Sequence, residues 1–162
     1  MASSPIFVKG PGPEFTAYHG VSATEHQKSF DKLTKDGWLP VNVSPVSRAS
    51  GERVYAAFYE KRDAGGIFVK SFLTPAEYQA AFDDNAKAGR RLAYLAAYTN
   101  GGGPRISAIW TAKAPGAVAR HGLTGAQYQS EYDTQRRQGL LTRAVAAYEG
   151  GNGTRFAALW TK

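Results

Sequence analysis

The 162-residue chain is long enough for one ordinary domain, and it carries a net charge of +7. Hydrophobic residues make up 43% of it and charged residues only 20%, which excludes a disordered chain. Disulfides and thiolate chemistry are excluded because it has no cysteine, and a membrane span is excluded because no apolar run approaches about 18 residues.

The first thirteen residues are predicted to be a flexible tail. Ser-Ser-Pro at 3–5 and Gly-Pro-Gly-Pro at 10–13 bracket a single short apolar run, Ile6-Phe7-Val8. That run is long enough to add one edge strand. Residues 14–162 are predicted to form a single domain.

That domain consists of three copies of one unit, at residues 14–60, 66–112 and 116–162. The first two copies align without a gap at an offset of 52 residues, and the last two at an offset of 50. Six positions are identical in all three copies: Gln27, Gln79 and Gln129; Asp31, Asp83 and Asp133; Gly37, Gly89 and Gly139; Gly51, Gly103 and Gly153; Arg53, Arg105 and Arg155; Ala56, Ala108 and Ala158. A chance match would not stay in register over the whole unit.

Each unit is predicted to begin with a strand and a helix. The short first strands lie at 15–18, 67–70 and 117–120. Each helix then starts with a Ser or Thr followed three residues later by Glu or Gln, the spacing of a capping box. These pairs are Ser22 and Glu25, Thr74 and Glu77, and Thr124 and Gln127. The repeated glycine is predicted to end each helix in a left-handed conformation.

Two further strands complete each unit. The first is clearest at 92–99 and 142–149, and glycine-rich turns at 101–104 and 150–153 lead into the second, at 53–59, 105–111 and 155–161. Alternate positions of this last strand are apolar and predict the core-facing side: Val54, Ala56 and Phe58; Ile106, Ala108 and Trp110; Phe156, Ala158 and Trp160.

The predicted fold is therefore α+β, with three tandem β-α-β-β repeats that bury one another because no single unit can bury its own apolar face. A solenoid and a closed ring both satisfy this requirement. A solenoid calls for distinctive capping units, and the third copy shows none. We therefore expect the repeats to close into a pseudo-threefold, barrel- or prism-like domain.

The repeated Gln, Asp and Arg are the first candidate functional positions. Gln27 and Asp31 are four residues apart and so lie on one flank of the helix, whereas Arg53 begins the last strand. A partly buried Asp–Arg pair between helix and strand is predicted to brace each unit. The alternative, a catalytic site present three times, is disfavoured.

His19 and His121 share one repeat position, where the second copy has Ser71. Convergence of the first strands on a threefold axis would bring these side chains together as a metal or acid–base site. The serine breaks a three-histidine shell and no carboxylate shares the position, so we predict no metal and no cofactor. A loop histidine that binds an anion near helix N–H groups is favoured instead.

Catalytic signals are weak, because the chain has no Gly-x-Ser-x-Gly, no Ser-x-x-Lys and no phosphate-binding loop. We predict no catalytic residue and no hydrolysis by this chain. Tyr98 and Tyr148, beside the glycine-rich turns, are candidate stacking surfaces for a sugar or a peptide, with core packing as the alternative. The first copy has Val46 there, so at most two sites are expected to be equivalent.

The charge changes along the chain. Residues 14–60 hold five Lys or Arg against six Asp or Glu, whereas residues 116–162 hold six against three. A nucleic-acid surface that used the units as equals would be basic in each. This distribution argues against a nucleic-acid partner and favours a solvated basic face.

The third copy also carries a family motif. Leu123-Thr124-Gly125-Ala126-Gln127-Tyr128-Gln129, then Gly139, then Tyr148 and the strand from Arg155 to Trp160, resembles the bacterial tandem repeat found beside β-lactamase-type serine hydrolases and in the N-terminal domain of polyglycine hydrolases. All three units share the pattern, the first only in outline.

In that family the catalytic serine belongs to an adjoining hydrolase domain. The resemblance therefore implies a non-catalytic accessory module, extracellular, that recognises a protein or a cell-surface polymer. A lectin-like carbohydrate-binding module is the alternative. The resemblance assigns no ligand-contacting residue and no oligomeric state.

Overall fold

The computed structural model describes residues 12–100 and 102–162. It contains three repeats, each built from one helix and one three-stranded sheet, which confirms the predicted α+β repeat. The apolar run at 6–8 lies outside the described residues. The elements are β1 (Phe15–Ser22), α1 (Ala23–Lys35), β2 (Trp38–Ser47) and β3 (Arg53–Lys61); β4 (Ile67–Leu73), α2 (Pro75–Lys87), β5 (Arg91–Asn100) and β6 (Gly103–Thr111); β7 (Ala117–Leu123), α3 (Gly125–Arg137), β8 (Leu141–Glu149) and β9 (Thr154–Thr161).

The helices begin and end where the sequence predicts. All three capping boxes form; in α2 the Thr74 N–H donates to a Glu77 carboxylate oxygen at 2.7 Å, which satisfies a backbone group at the helix start. The glycine after each helix adopts a φ of 80°, 73° or 78°, which closes the last turn.

Each sheet is antiparallel and has the last strand of its unit in the centre, in the orders β1-β3-β2, β4-β6-β5 and β7-β9-β8. The first strand of every unit is longer than predicted and contains a bulge. In β4 the pairing to β6 is regular to Lys70 and resumes at Leu73. One residue of each bulge has a positive φ, at Gly20, Phe72 and Gly122.

The gap-free alignment is wrong in one strand. Phe15 pairs with Glu60, whereas its counterpart Ile67 pairs with Thr111. Strand β3 therefore matches β6 at an offset of 51 residues, although the preceding elements match at 52. The cause is a longer turn in the first unit: five residues separate Ser47 from its partner Arg53, whereas four separate the equivalent Thr99 from its partner Pro104.

This shift corrects the predicted core of the first unit. A one-residue slip moves every side chain of a strand to the other face. The core-facing positions of β3 are thus Tyr55, Ala57 and Tyr59. Of the three predicted residues, Val54 is buried on the opposite side, where Ala56 and Phe58 are only half-buried. The predicted core faces of β6 and β9 are confirmed, with Trp110 and Trp160 almost fully buried.

Helix packing distinguishes two faces of each sheet, here called the front face, which contacts the helix of the same unit, and the back face. The ring of Tyr78 in α2 lies 6.0 Å from that of Trp110, and the ring of Tyr128 in α3 lies 6.3 Å from that of Trp160. In the first unit His26 stacks on Tyr55 at 4.3 Å.

The units pack front to back in two apolar clusters. One joins the front face of the first unit to Ile109 on the back face of the second. The other joins Ala108 and Trp110, on the front face of the second unit, to Ala157 and Leu159 on the back face of the third. The second unit thus lies between the other two.

The predicted closure into a barrel or prism is not confirmed. Each described sheet is open, and strands β2 and β5 pack on the unit that follows them, whereas elements of the first and third units make no comparable contact within the described residues. Front-to-back packing joins two different surfaces, so it extends in a line unless its rotation happens to close. None of the described helices is long and apolar enough to cross a membrane.

Candidate functional site

The repeated glutamine and aspartate pair with each other on the helix surface. The Gln27 amide donates to Asp31 at 2.8 Å, and the equivalent pairs in α2 and α3, Gln79 with Asp83 and Gln129 with Asp133, are 3.0 Å apart. No ion pair joins any of these carboxylates to an arginine in the described residues. The predicted Asp–Arg brace is therefore wrong, because the carboxylate turns to its own helix.

Replacing Asp83 by alanine should consequently cost only about 0.2–0.5 kcal/mol, the value of an exposed side-chain pair four residues apart. Asn85, in the same helix, is a matched control because it is buried and holds the Ala81 carbonyl and the Arg90 side chain. Asn85→Ala should cost about 1–3 kcal/mol. Urea unfolding measures both, and a larger loss for Asp83→Ala than for Asn85→Ala would contradict this assignment.

The residues at the histidine position are separated. His19 is exposed, Ser71 lines a groove between α1 and β4, and His121 lies edge-on to the Tyr78 ring at 5.2 Å. Burial lowers the pKa of His121. The described residues contain no group of three or more His, Asp or Glu arranged to hold a metal ion.

Ser71 and His121 nevertheless lie in two equivalent grooves, of about 240 and 300 Å³, between the helix of one unit and the first strand of the next. Corresponding lining residues are Tyr78, Gln79, Phe82, Ala119, Arg120 and His121 in one, and His26, Gln27, Phe30, Val69, Lys70 and Ser71 in the other. Sequence reasoning missed both grooves because each draws its walls from two units.

The two predicted tyrosines differ in exposure. Tyr148 is 6% exposed, and its hydroxyl accepts the backbone N–H of Gly122 at 2.8 Å. Tyr98 is half-buried, with its hydroxyl 3.4 Å from that of Ser107. Burial raises the pKa of both phenols. Tyr148 therefore serves an internal contact, and ligand binding by either tyrosine stays a prediction.

Phe72 is the one residue other than glycine with a positive φ, 68°, among the described residues. The equivalent bulge positions hold Gly20 and Gly122, which adopt this conformation without steric cost. A bulky residue held there stores about 1–3 kcal/mol of strain, and such strain is concentrated at functional sites.

Two of the predicted arginines meet on this ring. The guanidinium carbon of Arg53, from the first unit, lies 4.1 Å from the Phe72 ring centroid, and that of Arg105, from the second unit, lies 5.2 Å from it. Tyr98 is next to them, with its ring 6.3 Å from that of Phe72. The third repeated arginine, Arg155, instead donates to the carbonyl oxygens of residues 153 and 154.

Phe72 and Arg53 border an open groove of about 580 Å³, here called the Phe72 groove. Its lining residues are Ser47, Arg48, Ala49, Gly51, Arg53, Phe72 and Asn100, which include two arginines and no acidic residue. Arg48 is paired with Glu52 at 3.2 Å, so Arg53 is the principal cation facing the groove. The lining has hydroxyl, amide and guanidinium donors, a set suited to binding a carboxylate or a phosphate.

Comparison with protein families gives one result that covers most of the chain. The model described as polyglycine hydrolase-like, structural repeat, matches residues 12–62, 72–113 and 114–162. A comparison with curated proteins gave no match. The three matches follow the three sheet-and-helix repeats, and the chain belongs to the family of polyglycine hydrolase-like structural repeats.

Proposed function

We propose that this chain is a non-catalytic binding module that acts outside the cell and holds an acidic polymer of a cell surface in the Phe72 groove. The observation that carries the proposal is Phe72 itself: a strained aromatic ring between arginines of two units, at a position where the other units have glycine. The bound groups would be carboxylates or phosphates along the polymer.

The stacking prepares the arginines for an anion. A guanidinium that lies on an aromatic face has restricted rotamers, so less entropy is lost when it forms hydrogen bonds. Its N–H groups lie in the guanidinium plane, where a planar carboxylate can accept two of them. Strain at Phe72 is offset in this way by a preorganised cation, Arg53, in the groove.

The groove offers recognition groups rather than reacting groups. Ser47 and Asn100 supply neutral polar contacts, and the lining contains no histidine or carboxylate that could act as a general base beside the serine. A lectin-like module would instead use Tyr98 and Tyr148 as equivalent platforms, and the burial of Tyr148 disfavours that alternative.

Arg53→Gln should weaken binding of an acidic polymer at least tenfold, because it removes the cation that faces the groove. The probes are poly-L-glutamate and polygalacturonate, which carry carboxylates, and polyphosphate; isothermal titration at low salt gives the affinities. Arg155→Gln is the control, because Arg155 aligns with Arg53 in sequence but donates to the carbonyl oxygens of residues 153 and 154, in a unit whose bulge residue is glycine. It should leave the affinity unchanged.

Phe72→Gly should separate binding from stability. Binding of the same probes should fall at least tenfold because both guanidinium groups lose their platform. Stability should stay within about 1 kcal/mol, since release of the strained φ offsets the lost ring contacts. Equal losses with Arg53→Gln and Arg155→Gln would mean nonspecific charge attraction, and failure of all three probes to bind would refute the proposal.

A further inference from the structure

The front face of the third unit is open at β8. Val145 is 54% exposed there, whereas its counterparts Val43 and Leu95 are 1% and 3% exposed. Those two are covered because β2 and β5 each pack on the unit that follows. Thr142 and Ala147, on the same side of β8, are also exposed. The third unit thus presents the surface that the other two bury.

The back face of the first unit is also exposed, although the back faces of the other two units are buried. Val46 is 58% exposed, although its counterpart Tyr148 is almost fully buried, and Phe15, whose ring lies 5.8 Å from that of Phe58, is 64% exposed. Phe58 is half-buried, while its counterparts Ile109 and Leu159 are each 1% exposed beneath the preceding unit. The register places these side chains on one face, because Val46 pairs with Val54, two positions before Ala56 and four before Phe58.

We infer that a second copy of this chain docks the back face of its first unit onto the open front face of the third unit. The contact would repeat the front-to-back packing that already occurs twice within the chain. In it Phe58 takes the place of Leu159, and Ala56 takes the place of Ala157, so apolar side chains meet Val145 as they meet Leu95 inside the molecule.

Charge favours the same pairing. The first unit has one more acidic than basic residue, and the third has three more basic than acidic residues. Opposite ends therefore attract, whereas two third units would repel each other. Because the two surfaces differ, the contact is heterologous and each added copy presents a new free end. The expected species is an open row of copies rather than a symmetric dimer.

Two substitutions and one control test this inference. Val145→Glu places a charge on the open front face, and Val46→Glu places one on the open back face. Leu141→Glu is the control, because Leu141 is also 59% exposed on β8 but pairs with Thr161 and so lies on the other side of the strand. Sedimentation velocity over a concentration series, at low salt, measures the masses.

The unaltered chain and Leu141→Glu should form species larger than a monomer as concentration rises, and each of the other two variants should stay monomeric. An equimolar mixture of Val145→Glu and Val46→Glu should form a dimer and nothing larger, since one intact pair of faces remains. A monomeric unaltered chain up to about 1 mM would overturn the inference. So would dimerisation of Val145→Glu or of Val46→Glu alone, which would indicate pairing of like faces.

Discussion

Replacing Tyr59 by alanine is expected to destabilise the protein by about 3–5 kcal/mol, the range for loss of a large aromatic side chain from a core. Tyr59 is buried in the cluster that joins the first two units, and its hydroxyl lies 3.0 Å from that of Tyr18. Its neighbour Phe58 is the matched comparison. Phe58→Ala should cost about 1 kcal/mol, because that ring is half-buried on the outer face.

Urea unfolding of the two variants tests the register of β3 directly. The gap-free alignment makes Phe58 the counterpart of Trp110, whereas the strand pairing gives that place to Tyr59. Tyr59→Phe separates the ring from its hydrogen bond and should cost about 0.5–1.5 kcal/mol. A greater loss for Phe58→Ala than for Tyr59→Ala would contradict the observed register.

The second unit alone, residues 66–112, is expected to be unfolded in water. Both faces of its sheet are buried by neighbours: Leu95 and Ala97 beneath the third unit, and Ile109 against the first. In the isolated unit all of these side chains would be exposed. Without their burial, a sheet of three short strands and one helix cannot offset the conformational entropy that is lost on folding.

Circular dichroism of this fragment should show little regular structure and no cooperative melting. Residues 66–162, which keep the interface between the second and third units, are the matched comparison and should retain measurable structure. Cooperative melting of the isolated second unit would show that each repeat has a sufficient core of its own.

Much of the fold could be predicted because its signals are local. The capping boxes at Ser22, Thr74 and Thr124 involve atoms three residues apart, and the glycines after the helices act through their own φ. The repeat multiplies this information, since three copies show which features recur. Element types and family were accordingly predicted correctly.

The register of β3 could not be predicted in this way. Its sequence, with Val54 to Tyr59 apolar on both faces, allows either side to be the core. The choice depends on a turn one residue longer than that of the second unit, and a gap-free alignment hides this difference. The arrangement of the units could not be predicted either, because a linear stack and a closed ring of units bury the same kinds of residue.

Only part of the candidate site could have been identified from the sequence. Phe72 stands in the sequence where the other copies have glycine, and this departure is the signal that could have identified it. The partners of Phe72 could not be predicted. Arg53 contacts its ring from another unit, and the sequence alignment gave all three repeated arginines the same role. The Asp–Arg brace failed for a related reason: the glutamine four residues away is a closer partner for each aspartate.

Because the units pack front to back, the number of units in a domain of this kind can vary. Three units share two interfaces, and any further unit would add one complete interface while the two end surfaces remain the same in number. The fraction of apolar surface left at the ends therefore falls as units are added. A longer array of such repeats gains stability per unit without any new topology, and a single engineered unit inserted between the second and third would find a matching surface on each side.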